Sequence, residues 1–151
     1  MRQIREMIAL ALLAVCSYTD IKEKSIYLVP LVICVSGAAA LSVTSFVFAS
    51  DTGVQILLHE LLIPAVAGIL LIIAVKAGKA YIGAGDGYLL AALWLVLGLA
   101  DGVVILMSAL IFSFLFSIFI IISGKRGSYR LIPFAPFVLL GFVALLINTI
   151  Y

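Results

Sequence analysis

The sequence predicts an all-α membrane protein of about six transmembrane helices, and three observations carry that reading. Of its 151 residues, 66% are hydrophobic and 11% charged, against about 45–50% and about 25% in a soluble domain. Mean hydropathy is +1.39. The apolar residues gather in six runs separated by short polar stretches. Residues 1–151 therefore read as a single polytopic membrane domain, with no room for a soluble domain of useful size.

The elements follow in order. Arg2 and Arg5 precede an apolar run over residues 7–18. A basic start and a short apolar run also describe a secretory signal, and Leu13-Ala14-Val15-Cys16 approaches a lipoprotein cleavage box. Val15 is larger than the residue usual there, so the segment is read as helix 1, with Asp20 at its far end and a polar loop over residues 20–25. Helix 2 covers about 26–50, with Pro30 in its first turns, where a missing N–H costs least. Asp51-Thr52-Gly53 is a turn, helix 3 covers about 54–75, and residues 76–85 form the central loop. Helix 4 covers about 86–100, only about 22 Å at 1.5 Å per residue. That is short of a ~30 Å hydrocarbon core, so either Asp86 lies below the membrane surface or the preceding loop dips in with it. Asp101-Gly102 reads as a turn, helix 5 covers about 103–123, and helix 6 runs from about 132 to the C-terminus, opening with Pro133-Phe134-Ala135-Pro136.

Loops one, three and five carry Lys22, Lys24, Lys76, Lys79, Lys125, Arg126 and Arg130. The positive-inside rule puts them in the cytoplasm and both termini outside, in a multi-pass plasma-membrane protein; Arg2 and Arg5 vote the other way. Asp20, Asp86 and the proline-rich start of helix 6 then share the cytoplasmic end.

The two acids are the candidate chemistry. Asp86 stands at the mouth of helix 4 behind Gly83-Ala84-Gly85. Charge in hydrocarbon is costly unless something uses it. An N-cap role for Asp86 is the plain alternative, and the two glycines allow close backbone approach and positive φ. Two carboxylates brought close share a proton, and such a pair activates water while polarising a carbonyl. This chemistry needs no metal and no cofactor, and none is expected. One histidine and two cysteines in apolar segments offer neither a zinc site nor a Ser-His-Asp triad.

At these residues the chain resembles a known family. Gly83-Ala84-Gly85-Asp86 followed by Leu89-Leu90-Ala91-Ala92-Leu93 is similar to the G-x-G-D signature of the type IV prepilin peptidases. Thr19-Asp20-Ile21-Lys22 resembles their first aspartate motif, and Ile132-Pro133-Phe134-Ala135-Pro136-Phe137 through Gly141 resembles their C-terminal proline motif, where a Gly often stands in place of Ala135. The match covers essentially the whole chain in the right order. It implies the architecture of a GxGD-type intramembrane aspartyl protease, with Asp20 and Asp86 as the catalytic pair and Gly83 and Gly85 as the supporting loop. It also implies cleavage of a basic leader from a prepilin or prepilin-like protein, after a Gly, at the cytoplasmic face. The sequence departs from the family where Tyr88 replaces a Lys and where Ile26-Tyr27-Leu28 replaces Ile-Pro-Asn. The N-terminal region with paired Cys-x-x-Cys that larger members carry is absent from this sequence, so N-methylation is not expected, and the size is that of the minimal forms.

Expected partners are the prepilin-type substrate and the lipid bilayer, with no nucleic acid; the oligomeric state stays open. Two other readings stand beside the peptidase. The departures suit a non-catalytic assembly protein of a pilus system. Paired intramembrane acids also serve proton-coupled carriers, though the inverted repeats of such carriers are not evident. Asp51 and Asp101 read as solvated turn residues. His59-Glu60 reads as an interfacial pair, lacking the second His of a zinc motif.

Overall fold

The computed structural model describes residues 2–23, 28–48, 55, 58–77, 83–123 and 133–150. Every element among them is helical: α1 (Arg2–Glu23), α2 (Leu28–Phe48), α3 (Leu58–Ala77), α4 (Ala84–Leu97), α5 (Leu99–Ile122) and α6 (Ala135–Ile150). Two of these, Leu58–Ala77 and Leu99–Ile122, are long and apolar enough to cross a membrane. Much of the expected loop material, including Lys24, Asp51-Thr52-Gly53, Lys79, Lys125, Arg126 and Arg130, lies outside the described residues.

α4 is the centre of the bundle. Its residues Leu89 to Trp94 and Val96 are all buried, as befits a helix that is apolar all round. It packs on α3, α2, α5 and α1. Small residues set the closest approaches, as they do where helices meet without a hydrophobic drive between them. A Cβ at Gly68 of α3 would lie 3.2 Å from the Ala91 Cβ of α4. A Cβ at Gly141 of α6 would lie 2.8 Å from the Ile105 carbonyl oxygen of α5, and one at Gly102 would enter the Trp94 indole. Phe142, Leu12, Leu13, Leu89, Leu93 and Ile105 fill the space between the helices.

Outward, the bundle is apolar. Phe114, Phe119 and Ile122 of α5 are 65%, 66% and 78% exposed, and Val32, Ile33, Leu70 and Ile73 are similarly bare. Apolar exposure on that scale is foreign to water-soluble monomers.

Several boundaries differ from those the sequence suggests. α1 continues through Asp20 to Glu23, so Asp20 lies on a helix rather than at the edge of a loop. α4 begins at Ala84 and ends at Leu97, and Asp101-Gly102 is not a turn but lies in the first turn of α5. A single residue, Gly98, makes the reversal, with φ +94°. A side chain there would be strained, which is why a lone glycine suffices to break the chain into separate helices. α3 opens with a π-helical turn over Leu58–Leu62. Pro64 offers no N–H to the Glu60 carbonyl, and the turn before it widens. α6 starts at Ala135, three residues later than expected, because Pro136 is accommodated in a first turn but not deeper.

Candidate active site

Asp20 projects from the last turns of α1 into the bundle and is 8% exposed. Its partner comes from 115 residues away: the Ala135 N–H, at the start of α6, donates to Asp20 Oδ2 at 3.1 Å. The local sequence explains why this donor is free. The first N–H groups of a helix have no intrahelical acceptor. Here Pro136 carries none, while the N–H groups of Phe137 and Val138 turn back to the Phe134 carbonyl at 3.0 and 3.3 Å. Ala135 is left as the donor, and it fixes one oxygen of Asp20. The proline motif thus works as a holder for the first aspartate.

Asp86 lies in the first turn of α4, partly buried. It is not the N-cap; Gly83 occupies that position, in extended conformation with φ −60°, and no side chain caps the helix. The positive φ foreseen for the glycines is therefore absent at Gly83. What Gly83 supplies is space. Its carbonyl accepts the Asp86 N–H at 3.0 Å, and a Cβ on it would stand 3.1 Å from Asp86 Oδ2. The Asp86 carboxylate folds back over the bare Gly83 Cα. Gly85 lies in the same first turn, partly buried. Gly87 lets α4 meet α3, since a Cβ there would be 3.0 Å from Val75.

The two aspartates share one end of the bundle: Asp20 bonds the start of α6, and the first turn of α4, which carries Asp86, lies against Val75 near the C-terminal end of α3. Tyr88 lies about 200° round α4 from Asp86 at 100° per residue, and so faces away from the pair. Ser17, one turn before Asp20 on α1, is 6% exposed and its hydroxyl has no hydrogen-bond partner. Nothing in the sequence singled it out; an i, i+3 relation to the first aspartate was the available signal. Among the described residues, no group of three His, Cys, Asp or Glu side chains is arranged to hold a metal ion. Cys16 and Cys34 are free thiols.

Buried carboxylates held in this way can take and give protons without a metal. Comparison of the chain with protein-family models, with curated proteins and with solved structures gave no match.

Proposed function

We propose that the chain is a membrane-embedded aspartyl endopeptidase that removes the leader from prepilin or prepilin-like proteins at the cytoplasmic membrane face, and that all six helices span or enter the bilayer. The observation that supports this reading is the placement of Asp20 and Asp86 at one end of the bundle, with Asp20 fixed by the Ala135 N–H. The apolar outer surface supports the membrane setting.

The chemistry follows from the pair. Two close carboxylates hold one proton between them. The ionised member takes a proton from water, whose oxygen attacks the scissile carbonyl carbon. The protonated member donates to the carbonyl oxygen as it becomes tetrahedral. Collapse breaks the C–N bond, the proton first taken from water passes to the departing amine, and the proton on the tetrahedral oxygen returns to the aspartate that gave it as the carbonyl re-forms. The Ala135 donor leaves Asp20 one oxygen free to face the water. A substrate helix must unwind at the cut, since its carbonyls are otherwise engaged.

A non-catalytic pilus-assembly protein is the second reading, favoured by Tyr88 in place of a Lys and by the lack of Pro-Asn after the first aspartate. Leader cleavage from a co-expressed prepilin separates the two. On the peptidase reading, Asp20→Asn and Asp86→Asn each abolish cleavage and leave membrane insertion intact; retained cleavage by either variant removes that residue from the pair.

A further inference from the structure

The first turn of α6 carries the donor that holds Asp20, yet a first turn is among the least secured parts of a helix. Phe134 precedes it and offers no side-chain acceptor, and Pro136 has no N–H to pair. The bonds from the Phe137 and Val138 N–H groups to the Phe134 carbonyl close the turn on itself. They do not fix its rotation about the axis of α6. The bond to Asp20 restrains that rotation at one point, on the side of α1. A contact on another side of the helix removes the remaining freedom.

That contact is an aromatic pair. Phe137, next after Pro136, is buried, and its ring meets the ring of Phe116 on α5 with centroids 5.4 Å apart and planes at 53°. Tilted rings at this spacing attract one another beyond the area they bury. Phe137 stands about 200° round α6 from Ala135, and Gly141, which meets the α5 backbone, stands about 240° round. Phe137 and Gly141 therefore share the α5 face of the helix, with Ala135 on its far side. Phe116 is 42% exposed and stands outside the buried core of the bundle. Its contact with Phe137 is thus separate from the packing of the core.

We propose that Phe116 is a positioning residue for Asp20: its ring holds the Phe137 ring, which fixes the rotation of the first turn of α6 and keeps the Ala135 N–H on Asp20 Oδ2. The part it plays in cleavage rests on the reading of Asp20 as one of the cutting pair. Phe116 has no chemistry of its own to give; it acts through Phe137 and the Ala135 donor. A ring that only filled space between α5 and α6 would affect the stability of the bundle and not this one bond.

The test is amide hydrogen exchange of the full chain in detergent micelles, isotopically labelled at alanine nitrogen. The Ala135 signal is identified by its loss in Ala135→Pro. Ala135 is fully buried, so its amide exchanges when the turn opens. Phe116→Ala is expected to speed that exchange roughly three- to tenfold, the worth of an aromatic pair, with the other alanine signals in place. Phe116→Tyr keeps the ring and is expected to restore the wild-type rate. Phe119→Ala, on a position 66% exposed of the same helix, is expected to leave it unchanged. In leader cleavage, Phe116→Ala is expected to lower kcat with KM unchanged. On an Ala135→Pro background it adds no further loss, because the donor it serves is already gone. Ala135 exchange at the wild-type rate in Phe116→Ala overturns the proposal. So does an unchanged kcat, or a kcat loss that persists in full on Ala135→Pro or is not restored by Phe116→Tyr. A wild type that cuts no leader takes away the peptidase reading instead, and the exchange rate of the Ala135 amide then decides by itself whether Phe116 holds the donor on Asp20.

Discussion

At the scale of single residues, the account rests on Asp20, Asp86 and the backbone donor of Ala135. A proline at position 135 tests the donor without disturbing the helix, because proline suits the first turn and lacks the N–H in question. Ala135→Pro is expected to leave helical content in detergent unchanged and to lower leader cleavage about tenfold or more, as loss of a hydrogen bond to a charged group implies. Unchanged cleavage would deny Ala135 its holding role. Gly83→Ala is the matching test on the other side. Its Cβ, 3.1 Å from Asp86 Oδ2, displaces the carboxylate. Cleavage rate should fall severalfold with only a small drop in melting temperature, since Ala is a poorer N-cap than Gly by about 1 kcal/mol. Both aspartates were legible in the sequence as acids at the ends of apolar runs. The donor was not. A backbone N–H has no letter of its own, and it showed only as a pair of prolines around Ala135.

At the scale of elements, helices were legible and their ends were not. Composition identifies an apolar run, but Asp20 and Asp101 look like loop residues from their polarity alone. In the structure both are helical, Asp20 because it turns inward to α6 and Asp101 because it turns to Arg2 at the far end. The reversal at Gly98 hid among leucines. The π turn of α3 could be read only from the missing N–H of Pro64. Helix contacts are equally specific: Gly141 sits where the α5 backbone passes closest to α6. Gly141→Leu is expected to force the two helices apart at a cost of about 1–3 kcal/mol. The melting temperature in detergent reads this as a clear drop. Leu140→Ala, on an exposed position of the same helix, should leave it in place.

At the scale of the whole molecule, six antiparallel helices put the α1, α3 and α5 C-termini and the α2, α4 and α6 N-termini at one end. Lys22 and Lys76 mark that end, along with the aspartates. Arg2 and Arg5, which opposed the topology by charge count, lie at the other end beside Glu6, Glu60 and Asp101. The orientation is testable with single cysteines in a Cys16→Ser, Cys34→Ser background. Gln3→Cys should react with an impermeant thiol reagent added outside intact cells, and Lys22→Cys only after lysis; the reverse pattern would invert the protein. Two helices long and apolar enough to cross a membrane, Leu58–Ala77 and Leu99–Ile122, were legible from composition as unbroken apolar runs. The inward turn of Asp20 onto the Ala135 N–H was not, because sequence spacing gives the end of the bundle a residue occupies but not which faces turn inward.

The central claim is that these two aspartates cut a peptide bond. It is tested most directly by mass spectrometry of a prepilin co-expressed with wild type, Asp20→Asn or Asp86→Asn, using a prepilin that a type IV prepilin peptidase is seen to process in the same cells. The account predicts a mature, leader-free mass with wild type and the full-length mass with either variant, a rate loss of about a hundredfold or more. A full-length mass in all three samples, beside a processed control, would contradict it and leave a bundle that keeps two aspartates together without using them to cut.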